Sequence, residues 1–130
     1  MPKNEDVKNK LNRISGSGKL LFDIDGSYYV LCAYDTICEA QDQSLLNGAI
    51  RHYTKLNTAY RKELWNEENE RLLLKSMHKI IAYLDEWDAT PSYSKEIILS
   101  FNEDQLRQLE QQIEMYANIK ELYRKYKSWH

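Results

Sequence analysis

The chain has 130 residues, of which 42% are hydrophobic, 12% aromatic and 29% charged, and a formal charge of −2. That length makes one domain able to bury a core without metal or disulfide support, and the composition excludes a disordered chain. The near-neutral charge gives no global case for a nucleic-acid or anionic-membrane binder, and no apolar run approaches the roughly 20 residues of a membrane span.

In chain order, Val7, Leu11 and Ile14 keep helical spacing among polar residues. Residues 1–18 are therefore a short amphipathic helix stopped by Gly16 or a flexible tail, ahead of a single helical domain over 19–130. The N-terminal residues lack the apolar stretch of a secretory signal. Two β-prone runs follow, Leu20 to Ile24 and Ser27 to Leu31, around Asp25-Gly26. Asp-Gly between such runs predicts a hairpin over 19–32, because a type I′ turn needs positive φ at both central residues. That pairing sets Phe22 opposite Tyr29 and Leu20 opposite Leu31 on one face, with Leu21 and Val30 on the other. The alternative is a helix capped by Ser27 that runs through Tyr34 and Cys38. Both stay open on the sequence.

Beyond this point the spacing is helical, with a helix expected from near Ala33. Cys32 and Cys38 on that helix would point apart, so they read as unbridged, buried thiols in a reducing compartment, which predicts the cytoplasm. Leu46, Ala49, Ile50, Tyr53, Asn57, Tyr60 and Leu64 fall on one face and predict a helix over 44–65. Leu73, Met77, Ile80, Leu84 and Trp87 define the next, after an acidic start that suits the helix dipole. A break at 89–92 and an apolar run at 97–99 lead to Asn102-Glu103-Asp104-Gln105, a capping sequence. The last helix carries Leu106, Leu109, Ile113, Tyr116 and Tyr123, with Ile119, Leu122, Tyr126 and Trp129 drifting to a second neighbour. The predicted fold is mainly α: a small antiparallel bundle of three to four helices, with or without the hairpin.

Motifs with chemistry are sparse. Phe22-Asp23-Ile24-Asp25-Gly26-Ser27 resembles the first motif of the haloacid-dehalogenase phosphatases, in which one aspartate attacks phosphate and the other serves as acid and base. That family needs a doubly wound parallel sheet, which a chain this short and helical does not supply; the turn already accounts for both aspartates. Arg71 and His78 resemble the arginine-histidine motif of the HEPN ribonucleases, and that likeness implies RNA cleavage with His78 as acid–base and Arg71 on the phosphate. Leu72, Ser76 and Lys79 depart from the tighter form of that motif. The three histidines have no partner at metal-ligand spacing, so neither a metal nor any other cofactor is expected.

Two basic features stand out. Arg51, Lys55 and Lys62 form a stripe opposite the apolar face of the 44–65 helix. In the tail, Arg124, Lys125 and Lys127 interleave with Tyr123, Tyr126 and Trp129, a pairing of cations and rings that suits single-stranded nucleic acid. The charge also falls in blocks, basic over 1–20, 51–79 and 105–130 and acidic over 21–50 and 80–104. Ten tyrosines and three tryptophans against two phenylalanines favour contact surfaces. Together these predict a non-catalytic interaction or regulatory protein whose partner is another protein. Nucleic acid is the alternative partner, and self-association of the chain stays open. A HEPN-like nuclease is the third reading.

Overall fold

The computed structural model describes residues 4–14, 18–33, 36–40, 43–62, 67–86 and 100–127. Helix α1 (Asn4–Ile14) precedes strands β1 (Leu20–Ile24), β2 (Ser27–Ala33) and β3 (Thr36–Glu39). A short 3₁₀ turn, Gln43–Leu46, leads into α2 (Asn47–Arg61), α3 (Glu67–Asp85) and α4 (Glu103–Lys127). The chain is mostly helical, but its helices pack around a three-stranded antiparallel sheet of order β1-β2-β3.

The hairpin forms in the register that the Asp-Gly turn dictates: Phe22 pairs with Tyr29, Leu20 with Leu31 and Leu21 with Val30. Asp25 and Gly26 take φ of 53° and 83°, the double positive φ of a type I′ turn. The Asp23 carboxylate steadies the turn by accepting the Gly26 amide at 3.2 Å. Leu20, Leu21, Phe22, Ile24, Val30 and Leu31 are all buried. These residues come from both faces of the hairpin, so the sheet is covered on both sides.

The helix expected from near Ala33 is not there. Residues 36–39 pair with β2, Cys38 opposite Val30 and Ile37 opposite Leu31, with a register irregularity between Leu31 and Ala33. The apparent 3–4 spacing came from Leu31 and Cys38, which lie on two different strands. Cys38 is moreover disulfide-bonded rather than a free thiol. The helical geometry that argued against a bridge does not apply, because Cys32 belongs to β2 and Cys38 to β3. With it goes the cysteine argument for a reducing compartment. Among the described residues no helix is long and apolar enough to cross a membrane.

The helices follow their apolar stripes. Val7, Leu11 and Ile14 are fully buried, so α1 belongs to the core rather than to a tail. Lys10 bridges Glu110 at 2.9 Å, and Lys120 caps the end of α1 by donating to the Arg13 carbonyl at 2.9 Å, where a cation is favoured. Leu73, Met77, Ile80 and Leu84 of α3 are buried, as are Ala49, Tyr53 and Leu56 of α2, and these two helices pack chiefly on each other. Helix α4 starts in a reciprocal capping box: Gln105 N donates to Asn102 Oδ1 at 2.8 Å, and Asn102 N donates to Gln105 Oε1 at 2.9 Å. The predicted break at 89–92, the 97–99 run, Leu64 and Trp87 lie outside the described residues.

Candidate functional site

β1 is an edge strand, and an edge strand presents unpaired N–H and C=O groups. Here α4 satisfies them. Gln108 accepts the Asp25 amide at 3.0 Å and donates to its carboxylate at 2.8 Å. One turn on, Gln112 accepts the Asp23 amide at 2.8 Å and donates to the Asp23 carbonyl at 2.7 Å. One further turn on, the Tyr116 hydroxyl donates to the Leu21 carbonyl at 2.6 Å. Residues at i, i+4 and i+8 share a helix face, so three side chains of α4 stand in for a fourth strand. Gln112 is buried at 8% exposure, and its amide is saturated. Its oxygen also accepts from the Tyr53 hydroxyl at 2.6 Å, and its nitrogen also donates to the Gln108 carbonyl at 3.1 Å.

Two phenols in this region, Tyr53 and Tyr116, are held protonated. Burial pushes Tyr53 well above the ordinary phenol value, and the Asp23 carboxylate adds to the shift. Burial does the same for Tyr116, whose ring also meets Phe22 edge-on at 5.5 Å. Because both folded-state values exceed the unfolded one, the unfolded chain loses these protons first. Stability is therefore complete below pH ~10 and falls as pH rises from there toward the folded values, by up to ~1.4 kcal/mol per pH unit per group. Tyr53→Phe should make this alkaline decline shallower in denaturant titrations at pH 8, 10 and 11. An unchanged slope would contradict the assignment.

A cleft of about 370 Å³ opens beside the ladder. Asp23 and Asp25 of the hairpin turn line it with Tyr53, Asn57, Tyr60 and Arg61 of α2 and Glu114 of α4. The Tyr60 hydroxyl accepts from Asn118 at 3.4 Å.

The second feature is the outer face of α2 and α3. Arg51 and Lys55 are exposed there as expected, and so is Lys62 at the C-cap of α2. The structure adds residues that the sequence left apart. The His52 ring stacks on Tyr83 of α3 at 6.0 Å and 25°. This close approach depends on Gly48, where a β-carbon would lie 2.6 Å from the Tyr83 ring. Burial lowers the His52 pKa below its usual value, helped by the cations of Lys55, Arg51 and Lys79. The imidazole is thus neutral at pH 7 inside a basic surround. Leu72, Lys79 and Tyr83 share one face of α3; Leu72 is 63% exposed and Tyr83 39%. No acidic residue occurs in α2, or in α3 between Arg71 and Leu84.

The other candidate residues lie elsewhere. Arg71 and His78 are exposed on α3, and His78 meets Tyr123 edge-on at 5.9 Å. Tyr123 is 45% exposed, not part of the buried stripe of α4 expected for it. Arg124 pairs with Glu121 at 3.1 Å, and its neighbour Lys125 with Glu70 at 3.3 Å. The side chains of Tyr126 and Lys127, and all of Trp129, lie outside the described residues. No protein-family model, curated protein or solved structure matches the chain.

Proposed function

We propose that the chain is a non-catalytic interaction protein that holds an acidic segment of another protein on the α2–α3 face. One observation carries this reading. Arg51, Lys55 and Lys79 lie around the His52–Tyr83 stack, with acid on that face of α3 only past Tyr83, at Glu86, while Tyr83 and, about three turns back along α3, Leu72 offer apolar surface on the same side. Cations around an aromatic and aliphatic centre make the usual anatomy of a protein interface, in which the apolar centre gives affinity and the charges give orientation and association rate. Leucine has no use against a phosphate backbone, which favours a protein over nucleic acid here. Arg124 is already engaged by Glu121 in the tail, so that region supports a nucleic-acid reading less than its composition did.

The test uses a defined probe, a peptide carrying leucine and phenylalanine among aspartates and glutamates, titrated in parallel with single-stranded oligonucleotides. Peptide binding should weaken at least tenfold in Lys55→Glu/Lys79→Glu and less in Lys62→Glu, since Lys62 lies about 10 Å further along the helix from the His52–Tyr83 stack. Should the oligonucleotide bind through the same residues, with affinity falling steeply in salt, the face belongs to nucleic acid. Should neither bind, the proposal fails.

A further inference from the structure

The cleft between the hairpin turn, α2 and α4 carries an inference independent of the α2–α3 face. Its walls hold charge of both signs: the Arg61 guanidinium at the end of α2, and the Asp23, Asp25 and Glu114 carboxylates from the hairpin and α4, that of Asp25 already accepting from Gln108. Among the described residues none of these four groups forms an ion pair, either with one another or with anything else. Elsewhere on this surface opposite charges at reach do pair, as in Lys10–Glu110 and Arg107–Glu103. The cleft therefore holds complementary charges apart across a space of about 370 Å³, which is at the small end of ligand sites.

We propose that this cleft binds a small zwitterion of amino-acid or dipeptide size, its carboxylate on Arg61 and its ammonium against Glu114 and Asp23. A guanidinium presents a planar fork that matches a carboxylate, and an ammonium is a compact donor for two carboxylates. The half-buried Tyr60 ring gives the ammonium an aromatic wall, and the Asn57 side-chain amide supplies a neutral donor and acceptor for the rest of the ligand. The electrostatics of the two phenols agree with this layout. Burial raises both; beyond that, Asp23 raises Tyr53 while Arg61 lowers it, and Glu114 raises Tyr60. Opposite charges of the cleft thus act on one phenol. The floor is rigid, because Gln112 and Gln108 fix the Asp23–Asp25 backbone, and a preorganised site loses less on binding.

The experiment is a titration of the full chain with L-glutamine and glycylglycine. It is repeated with 4-aminobutanamide, which lacks the carboxylate, and with glutaramic acid, which lacks the ammonium. Binding should saturate for at least one of the zwitterions, and both single-charge analogues should bind at least tenfold more weakly. Arg61→Gln and Glu114→Gln should each lower zwitterion affinity about tenfold or more without moving the melting temperature, since both positions are exposed and surface changes of this kind leave folding nearly intact. No saturation by either zwitterion at about 10 mM overturns the proposal. So does equal binding of 4-aminobutanamide, which would make the cleft a simple cation site. Binding indifferent to both substitutions overturns it as well. None of these results bears on the α2–α3 face, whose residues lie outside the cleft.

Discussion

Gln112→Leu should lower the unfolding free energy by about 4 kcal/mol and the melting temperature by roughly 10–20 °C. Leucine matches glutamine in size, so the loss is polar rather than steric. It strands the part-buried Asp23 amide and carbonyl and the buried Tyr53 hydroxyl, and each unmet buried group costs about 1–3 kcal/mol, less where water can reach it. Gln112→Glu sharpens the test. A carboxylate could still accept from the Asp23 amide and Tyr53, yet it would face the carbonyls of Asp23 and Gln108 with nothing to donate. Burial and those carbonyls would raise its pKa above the ordinary ~4.3. Its contribution is then greatest below the unfolded value and is lost as pH rises through the folded one, so this variant should gain stability relative to the parent chain between pH 7 and 4. Thermal melts of the parent and both variants decide the matter: a Gln112→Leu protein that melts within a few degrees of the parent removes the ladder as a source of stability.

Tyr116→Ala should be at least as damaging, at about 5 kcal/mol. Truncating a core aromatic ring costs about 3–5 kcal/mol, and the orphaned Leu21 carbonyl adds about 1–3 kcal/mol. That loss is comparable with the whole stability of a marginal domain, so the variant should be largely unfolded or recovered in low yield. Tyr116→Phe separates the two contributions. It keeps the edge-on contact with Phe22 and gives up only the hydrogen bond, so denaturant unfolding should show a loss of about 1–3 kcal/mol. Equal losses in the two variants would mean that the ring's packing contributes nothing beyond its hydroxyl, against the complete burial of this residue.

Much of this framework was legible in the residues. Asp25-Gly26 specified a turn, its type and the register of five strand pairs, because few residue pairs accept two positive φ values in succession. Asn102 and Gln105 announced the start of α4 through their spacing. β3 escaped notice because it has four residues, and Ile37 and Cys38 are both buried, which leaves no alternation to see. Gln112 was invisible for a different reason: a glutamine in a charged helix reads as solvent-facing. The available clue was its place between Leu109, Ile113 and Tyr116 on the apolar arc, four residues after Gln108. The basic stripe was half legible. Arg51 and Lys55 could be placed on one face of α2, whereas the approach of Lys79, Tyr83 and Leu72 depends on how α3 lies against α2, which no local pattern encodes. The cleft charges Arg61, Asp23 and Glu114 come from three separate segments and meet only in the fold.

The three rungs between α4 and β1 also act as a gauge of chain length. Four residues of helix advance about 6.0 Å, and two residues of strand about 6.6–6.8 Å, so helix and strand run nearly in step, like the scales of a vernier. The small mismatch grows with each rung, so a much longer ladder would fall out of phase. It also makes the hairpin intolerant of insertion or deletion. Removing Ile24 from β1 would turn the Asp23 and Leu21 groups now facing α4 toward β2, and the Gln112 and Tyr116 rungs would fail together.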